Sequence, residues 1–444
     1  MRERFTGYTL FSVIVAAMGG FLFGYHTGII SGALIFLAPA FSLTPIDEGF
    51  VVSIILLGAI GGALISGTLA DWLGRKKTIL LTALIFILGA TIISVSQTFF
   101  YLSIGRAVTG IAVGIISLTA PLYIAEISPP HYRGRFVSLS QLATTVGILA
   151  AYAVSLFYSH EGAWRMMFAV GVIPALVQIW ALYFIPETPP WLLVKHQEKK
   201  AVAIMKKLRR DTEWEEHLSE MKRSAAPQKR GGWSVLLHPK LRFVLLVGIL
   251  LNCFQQITGI NTVIYYAPKI FQVAGFGSAF GAILATLGVG IVNVIFSVAA
   301  VWLLDKVGRR PLLIWGVVGM VVSLLVLALA FFTESELIDL IAIVSLMTYV
   351  ASFAIGLGPI PSLLLSEIYP LKIRGKAMTV GTMSNWFFNY LISLTFLDLM
   401  QHLGSAGTFC LYAAIGVVAL WFFWRYIPET KGKSLEEIEA SLSK

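Results

Sequence analysis

Apolar residues run along this chain in long stretches broken by short polar segments, with none of the strict alternation that marks half-buried strands. Twelve runs stand out, at residues 8–38, 49–70, 78–96, 101–123, 136–158, 164–185, 241–273, 279–304, 312–332, 337–365, 377–399 and 407–426. A helix needs about 20 mostly apolar residues to cross the hydrocarbon core of a bilayer, so the pattern predicts an all-α integral membrane protein of twelve transmembrane helices. The one long polar stretch, 187–240, divides the runs six and six. Within it, residues 195–223 carry Val202, Met205 and Leu208 at helical spacing among charges, which predicts short amphipathic helices. Residues 225–232 look like a floppy linker. The expected organisation is a six-helix bundle over 1–190, amphipathic helices and linker over 191–240, and a second six-helix bundle over 241–444.

Composition agrees. Hydrophobic residues make up 57% of the chain and charged residues 13%, with a mean hydropathy of +0.83, values that soluble domains rarely reach. The net charge of +10 could suggest a nucleic-acid partner until the basic residues are placed. All Lys and Arg except Arg106, Arg165 and Lys269 fall on one face of the predicted helix array. The opposite loops carry Asp47, Glu48, Glu161, Glu334, Glu336 and Asp339. This asymmetry is the positive-inside rule. It predicts cytoplasmic N- and C-termini and turns the basic balance into a topology signal, with the lipid bilayer as partner and no nucleic acid. Cys253 and Cys410 lie in apolar runs and imply no disulfide framework. The first run is too long for a removable signal peptide, and the chain has no Asn-x-Ser/Thr sequon, which fits a bacterial inner membrane.

The polar segments repeat. Asp71-Trp-Leu-Gly-Arg75 follows the second run and Asp305-Lys-Val-Gly-Arg309 the eighth. Glu126 with Arg133 follows the fourth, and Glu367 with Arg374 the tenth; Pro186-Glu187-Thr188 follows the sixth and Pro428-Glu429-Thr430 the twelfth. Three matched pairs, each about 240 residues apart, imply two halves in parallel orientation, an architecture of secondary transporters. Opposite charges at equivalent helix ends can pair between helices and hold one side closed. Such a gate must break and reform, which suits states separated by a few kcal/mol. Anchoring of loops is the simpler use of such charges, but topology needs only Lys and Arg, and here acids recur too.

In the middle of the runs the polar residues are uncharged: Gln141 in the fifth, Gln255, Gln256, Asn261, Tyr265 and Tyr266 in the seventh, Asn293 in the eighth, Asn385 and Asn389 in the eleventh. Amides in a bilayer need partners. They match the donating and accepting hydroxyls of a sugar without net charge, and Phe23 and Trp386 could cover its C–H faces. A lone Asn more often joins two helices. The cluster beside Gly259 points instead to a binding face.

The string Gly67-Thr-Leu-Ala-Asp71-x-x-Gly74-Arg75-Lys76-Lys77 resembles the signature loop of the major facilitator superfamily. Further strings are similar to its sugar porter branch: Gly105-Arg106, Pro121-Leu-Tyr-Ile-Ala-Glu126, Arg133-Gly134-Arg135, Pro186-Glu187-Thr188-Pro189-Pro190-Trp191, Gln255-Gln256-x-x-Gly259-x-Asn261 with Tyr265-Tyr266, and Pro428-Glu429-Thr430-Lys431-Gly432. The resemblance spans about residues 19–437. It implies that Gln141, Gln255, Gln256, Asn261, Asn293 and Asn385 hold a sugar, hexose or pentose, and that Phe23 and Trp386 line its pocket. It also implies that Tyr265 and Tyr266 belong to an extracellular gate and that Gly356-Leu-Gly358-Pro359-Ile-Pro361 is a bendable segment. Two positions depart from the family pattern. Ser362 stands where a Trp near the sugar is usual, and His26 stands where proton-coupled relatives carry Asp, with Arg106 as that acid's partner. An imidazole facing a guanidinium predicts a passive uniporter; the alternatives are a sugar–proton symporter, since His can itself carry a proton, and a non-transporting sensor.

Other classes fit less well. Cation or drug carriers would show mid-membrane carboxylates, and an anion carrier would need central basic residues beyond Arg106. His26, His131, His160 and His402 are too scattered for an enzyme site, and no phosphate-binding Gly-Lys motif appears. The expectation is a transporter, not an enzyme, working without cofactor and as a monomer.

Overall fold

The computed structural model describes residues 5–209, 239–369 and 374–431, with only the backbone described at 239–241, 305, 366, 374 and 375. The expected amphipathic stretch beyond Arg209, the linker, and the end of the C-terminal tail lie outside the described residues. Among the described residues the chain is helical, and its one isolated bridge joins Phe5 to Arg209.

In chain order the helices are α1 (Gly7–Ala40), α2 (Pro45–Leu73), α3 (Arg75–Val95), α4 (Phe99–Ile127), α5 (Arg133–Phe157), α6 (Trp164–Val170), α7 (Val172–Leu182), α8 (Pro189–Val194) and α9 (Glu198–Leu208). The second half continues with α10 (Pro239–Ile257), α11 (Ile260–Val273), α12 (Ala279–Val307), α13 (Arg309–Phe332), α14 (Ile338–Ile355), α15 (Ile360–Ile368) and α16 (Arg374–Tyr426). Three of the twelve apolar runs are thus two helices each. The sixth breaks at Gly171, where Pro174 leaves a carbonyl of the preceding turn without its N–H donor. The seventh breaks at Gly259, whose φ of 96° is left-handed, and the tenth at the Gly356–Pro359 segment. Conversely, α16 unites two runs. Its 53 residues would extend about 80 Å at 1.5 Å per residue, far beyond a hydrocarbon core of about 30 Å. At Gly404, φ 70° and ψ 169° turn the chain back. Among the described residues, the eleven helical stretches long and apolar enough to span therefore make twelve crossings.

The outer surface suits lipid. Large apolar side chains such as Leu64, Ile173, Leu329 and Phe332 are exposed along the helices, and Trp72, Trp302, Trp315 and Trp424 project near the helix ends that carry the basic turns, as interfacial tryptophans do.

The helices cluster into two compact units. Unit 1 comprises Met1–Ile29, Ile54–Val154 and Ala163–Lys229; unit 2 comprises Ile30–Ser53, Ser155–Gly162 and Arg230–Lys444. In unit 1, α1 and α5 touch backbone to backbone. Gly20, Gly24 and Gly28 meet Ser140, Thr144 and Ile148 in turn, and Gly147 meets Phe21 from the other side. A second seam joins α2 to α4 through Gly58, Gly62, Gly110 and Gly114. At most of these positions an added Cβ would fall inside the van der Waals contact of a backbone atom. In a bilayer, where lipid tails are as apolar as Leu, close approach of small residues supplies the dispersion contact that holds helices together. The α1–α5 seam fixes Phe23 and His26 on α1 in stagger with Gln141 on α5.

Candidate functional site

In unit 2 the amides of the seventh run gather around its break. Gln255 Nε2 donates to the carbonyls of Leu357 (2.6 Å) and Gly358 (3.2 Å), which open where α14 gives way to α15. Its Oε1 accepts from Asn385 Nδ2 at 2.7 Å, and Asn252 Oδ1 accepts from the same amide at 3.4 Å. Asn261 Nδ2, across the Gly259 break, donates to Gln256 Oε1 at 2.5 Å. Tyr349 donates to the Thr258 carbonyl at 2.8 Å, satisfying a backbone acceptor freed by the break. Four of the expected residues, Gln255, Gln256, Asn261 and Asn385, thus form two hydrogen-bonded amide pairs. Trp386 is buried beside Asn385 in sequence. Asn293, also buried, is joined to them by no hydrogen bond among the described residues. Tyr265 and Tyr266 are buried one turn before Lys269; Tyr266 donates to the Ser393 carbonyl at 2.6 Å, and Asn389 approaches the Tyr265 hydroxyl at 3.4 Å. Pro359 precedes the first residue of α15 and Pro361 lies in its first turn; Ser362 is exposed, its hydroxyl donating to the Pro359 carbonyl at 3.1 Å.

In unit 1, Gln141 is exposed in the first half of α5 and Phe23 is half-buried. His26 is fully buried, its ring stacked on Phe86 with centroids 4.8 Å apart and met edge-on by Tyr25. Neither of its ring nitrogens has a hydrogen-bond partner among the described residues. Arg106, also buried, donates from Nη1 to the His26 backbone carbonyl at 3.0 Å.

The repeated charges form one cluster per unit. In unit 1, Arg75 reaches Glu126 at 2.9 Å and Asp71 at 3.2 Å, and donates to the Ala70 carbonyl at 3.1 Å. In unit 2, Arg309 reaches Glu367 at 3.2 Å and the Leu304 carbonyl at 3.3 Å, while the Thr430 hydroxyl donates to Glu367 at 2.5 Å. Arg133 stays apart, exposed and donating to the Ala125 carbonyl at 3.1 Å. The side chains of Asp305 and Arg374 lie outside the described residues.

Each cluster hangs on a tight turn. Gly74 and Gly308 both take left-handed backbone, φ 95° and 106°, which a Cβ would strain. The helix that each turn opens is capped by a distant carboxylate. Glu187 accepts from the backbone N–H groups of Arg75 (3.0 Å), Lys76 (3.2 Å) and Thr188 (2.9 Å). Glu429 accepts from Arg309 (3.1 Å), Arg310 (3.0 Å), Thr430 (3.0 Å) and Lys431 (2.9 Å). An anion at a helix N-terminus satisfies orphan donors and meets the positive end of the dipole. The two carboxyls titrate oppositely. Burial raises that of Glu187 above the ordinary glutamate value despite its three N–H donors. Burial pushes Glu429 the same way, but its four N–H donors outweigh it and hold the carboxyl low.

Residues 12–442 match the family described as sugar (and other) transporters. The chain belongs to this family. The glucose transporter GlcP of Staphylococcus epidermidis is 40% identical over 430 residues, covering 97% of this chain and 96% of that protein. The D-xylose–proton symporter of Escherichia coli K12 is 36% identical over 481 residues, covering 99% and 97%. Among solved structures, the inward-open xylose transporter XylE from E. coli superposes with a TM-score of 0.84 at 34% identity, covering 97% of this chain and 98% of that one. The protein is a multi-pass membrane transporter of the sugar porter family, not an enzyme.

Three groups of this sugar porter make contacts that their local sequence leaves open. Asn252 sits one turn ahead of Gln255 and Gln256 on α10, a spacing that could have placed it with them. Glu187 and Glu429 repeat in both halves, which marks them as structural equivalents, but no local pattern tells that each caps a helix more than a hundred residues away. The third is Glu48 with Lys269, two groups separated by most of the chain's first half.

Proposed function

We propose that this transporter carries a monosaccharide, a hexose first, by alternating access and as a facilitated-diffusion uniporter. The observation that carries the substrate reading is the pair of amide contacts, Gln255–Asn385 and Gln256–Asn261. Each amide retains donor or acceptor capacity for a ligand hydroxyl, and none brings a charge. Gln141, Asn293, Phe23 and Trp386 would complete the contact surface. Tyr265 and Tyr266 would close over the sugar from outside, and Pro359 and Pro361 would let the tenth run bend. The clusters of Asp71, Arg75 and Glu126, and of Arg309 and Glu367, would serve as the cytoplasmic gate, with Asp305, Arg133 and Arg374 as further members.

The passive reading rests on His26. Its ring is packed against Phe86, and Arg106 is held by a peptide carbonyl, so the pair makes no carboxylate–guanidinium contact for a proton to break. The symporter reading is favoured by the 36% identity to a D-xylose–proton symporter. Uptake into proteoliposomes separates them. A uniporter equilibrates labelled glucose to the same end point with or without a proton gradient, whereas gradient-driven accumulation lost in His26→Ala would establish coupling. His26→Asp is the converse experiment, since it returns a carboxylate beside Arg106. A counterflow panel of hexoses and pentoses would test the substrate. We further propose cytoplasmic termini, a monomeric carrier in a bacterial inner membrane, no nucleic-acid partner, and six-helix bundles at 1–190 and 241–444.

A further inference from the structure

Lys269 is one of three basic residues that break the charge asymmetry of the chain, and the other two have evident local roles. Arg165 lies over the Trp164 ring at 4.1 Å and donates to the Ser96 carbonyl at 2.8 Å, while Arg106 holds the His26 carbonyl. Lys269 instead pairs with Glu48. The two come from opposite repeats, Glu48 from the first turn of α2 and Lys269 from α11, one turn past Tyr265, yet both belong to unit 2. Glu48 is buried at 6% exposure, next to an acid with a different task. Asp47 is half-buried and closes a capping box with Thr44, accepting from its N–H at 3.1 Å and its hydroxyl at 2.6 Å. Helix capping therefore does not account for Glu48.

The surroundings of the pair are tight. Gly49 touches the Leu394 backbone of α16, Gly32 lies against Ser155 and Ile283, and His160 stacks on Phe280 with centroids 4.6 Å apart. Within unit 2 the non-basic ends of α1 and α2, with the turn after α5, are thus packed on α11, α12 and α16. An ion pair buried at such a seam costs desolvation of both charges, and losing one partner strands the other. It is a poor general stabiliser but a sharp discriminator between a seam that is closed and one that is open.

We propose that Glu48 and Lys269 form an outer latch, an ion pair between the repeats that holds the non-cytoplasmic side shut and must break for that side to open. This rests on the alternating-access reading above. The test uses Ile283→Cys, a position buried at the same seam, in a chain carrying Cys253→Ala and Cys410→Ala. Right-side-out vesicles are treated with a membrane-impermeant maleimide, and the labelling rate is measured.

With the pair intact, labelling should be slow. In Glu48→Gln and in the doubly neutral Glu48→Gln/Lys269→Met it should rise roughly fivefold or more, the lower range of couplings between conformational states. The charge-exchanged Glu48→Lys/Lys269→Glu should return to near the starting rate. A folded, monodisperse doubly neutral variant that labels no faster than the starting protein overturns the latch. If neutral variants do not fold, the exchanged variant decides alone: slow labelling supports the latch, and fast labelling refutes it. Labelling needs no sugar, so a failed latch would leave the counterflow results standing, and absent transport would not alter the labelling rates.

Discussion

Gly259 separates α10 from α11 and sets the angle between Gln255–Gln256 and Asn261, so its replacement tests whether the break holds the amides in place. Gly259→Ala introduces two costs. A Cβ at φ 96° occupies the left-handed region, at about 1–2 kcal/mol for a non-glycine residue. That Cβ would also stand 2.8 Å from Tyr412 Cδ2 and 3.1 Å from Cε2. Relieving the contact to 3.4 Å needs a ring displacement of about 0.6 Å, and overpacking of this kind costs about 1–3 kcal/mol. The expected total is roughly 2–5 kcal/mol. Two controls isolate the components. Gly275 has a φ of 103° and nothing within 4 Å of an added Cβ, so Gly275→Ala carries the strain alone. Gly61, inside α2, has neither strain nor a neighbour, so Gly61→Ala should be neutral or stabilising by up to about 1 kcal/mol. Melting temperatures of purified protein in detergent should fall in the order Gly61→Ala, Gly275→Ala, Gly259→Ala. Tyr412→Leu should recover part of the last loss by making room. Glucose counterflow should weaken in Gly259→Ala beyond what its stability explains, and stay normal in Gly275→Ala. If Gly259→Ala melts with Gly275→Ala, the packing of Tyr412 on the break contributes nothing and the reasoning fails.

Other substitutions probe the same structure. Gln255→Ala removes donors from the Leu357 and Gly358 carbonyls and an acceptor from Asn385; at about 1–3 kcal/mol for a stranded buried group, the half-saturation for sugar counterflow should rise about tenfold or more. Arg75→Lys gives up the planar fork that spans Glu126, Asp71 and the Ala70 carbonyl, and should lower stability by about 1.5–3 kcal/mol, read by thermal melts. Glu187 and Glu429 should differ in pH dependence. A carboxyl held above its ordinary value lowers stability as pH rises through the shifted range, whereas one held below contributes stability above the ordinary value and loses it as pH falls. As pH is lowered, the melting deficit of wild type relative to Glu187→Gln should start to shrink above the ordinary glutamate value and be gone at that value. The melting advantage of wild type over Glu429→Gln should persist below that value. The opposite order would refute the assignment.

Much of this carrier is legible in its sequence because the bilayer imposes one-dimensional rules. A spanning helix must satisfy its own backbone, so length and hydropathy located the crossings, and the asymmetry of Lys and Arg gave their expected sense. The duplicated turns marked equivalent positions, and the clusters at Arg75 and Arg309 stand where those turns put them. Less legible was everything that depends on which helix lies beside which. The glycines at 20, 24 and 28 repeat every fourth residue, yet only the position of α5 makes that spacing a seam. Gln255 could be marked as polar and central, but its carbonyl partners exist because a distant helix breaks at Gly356–Pro359.

Charge shows the same limit more sharply. Lys269 was visible as an exception to the topology rule and Glu48 as one of several acids in the opposite loops; nothing in either neighbourhood names the other. Equal spacing about the chain explains the clusters at Arg75 and Arg309, because duplication copied both partners together within each half. A pair made between halves has no copy: the positions equivalent to Glu48 and Lys269 were free to diverge once the repeats had different neighbours. Contacts within a repeat are therefore inherited as motifs, while contacts between repeats must be found in three dimensions, and it is the latter that an alternating carrier must make and break.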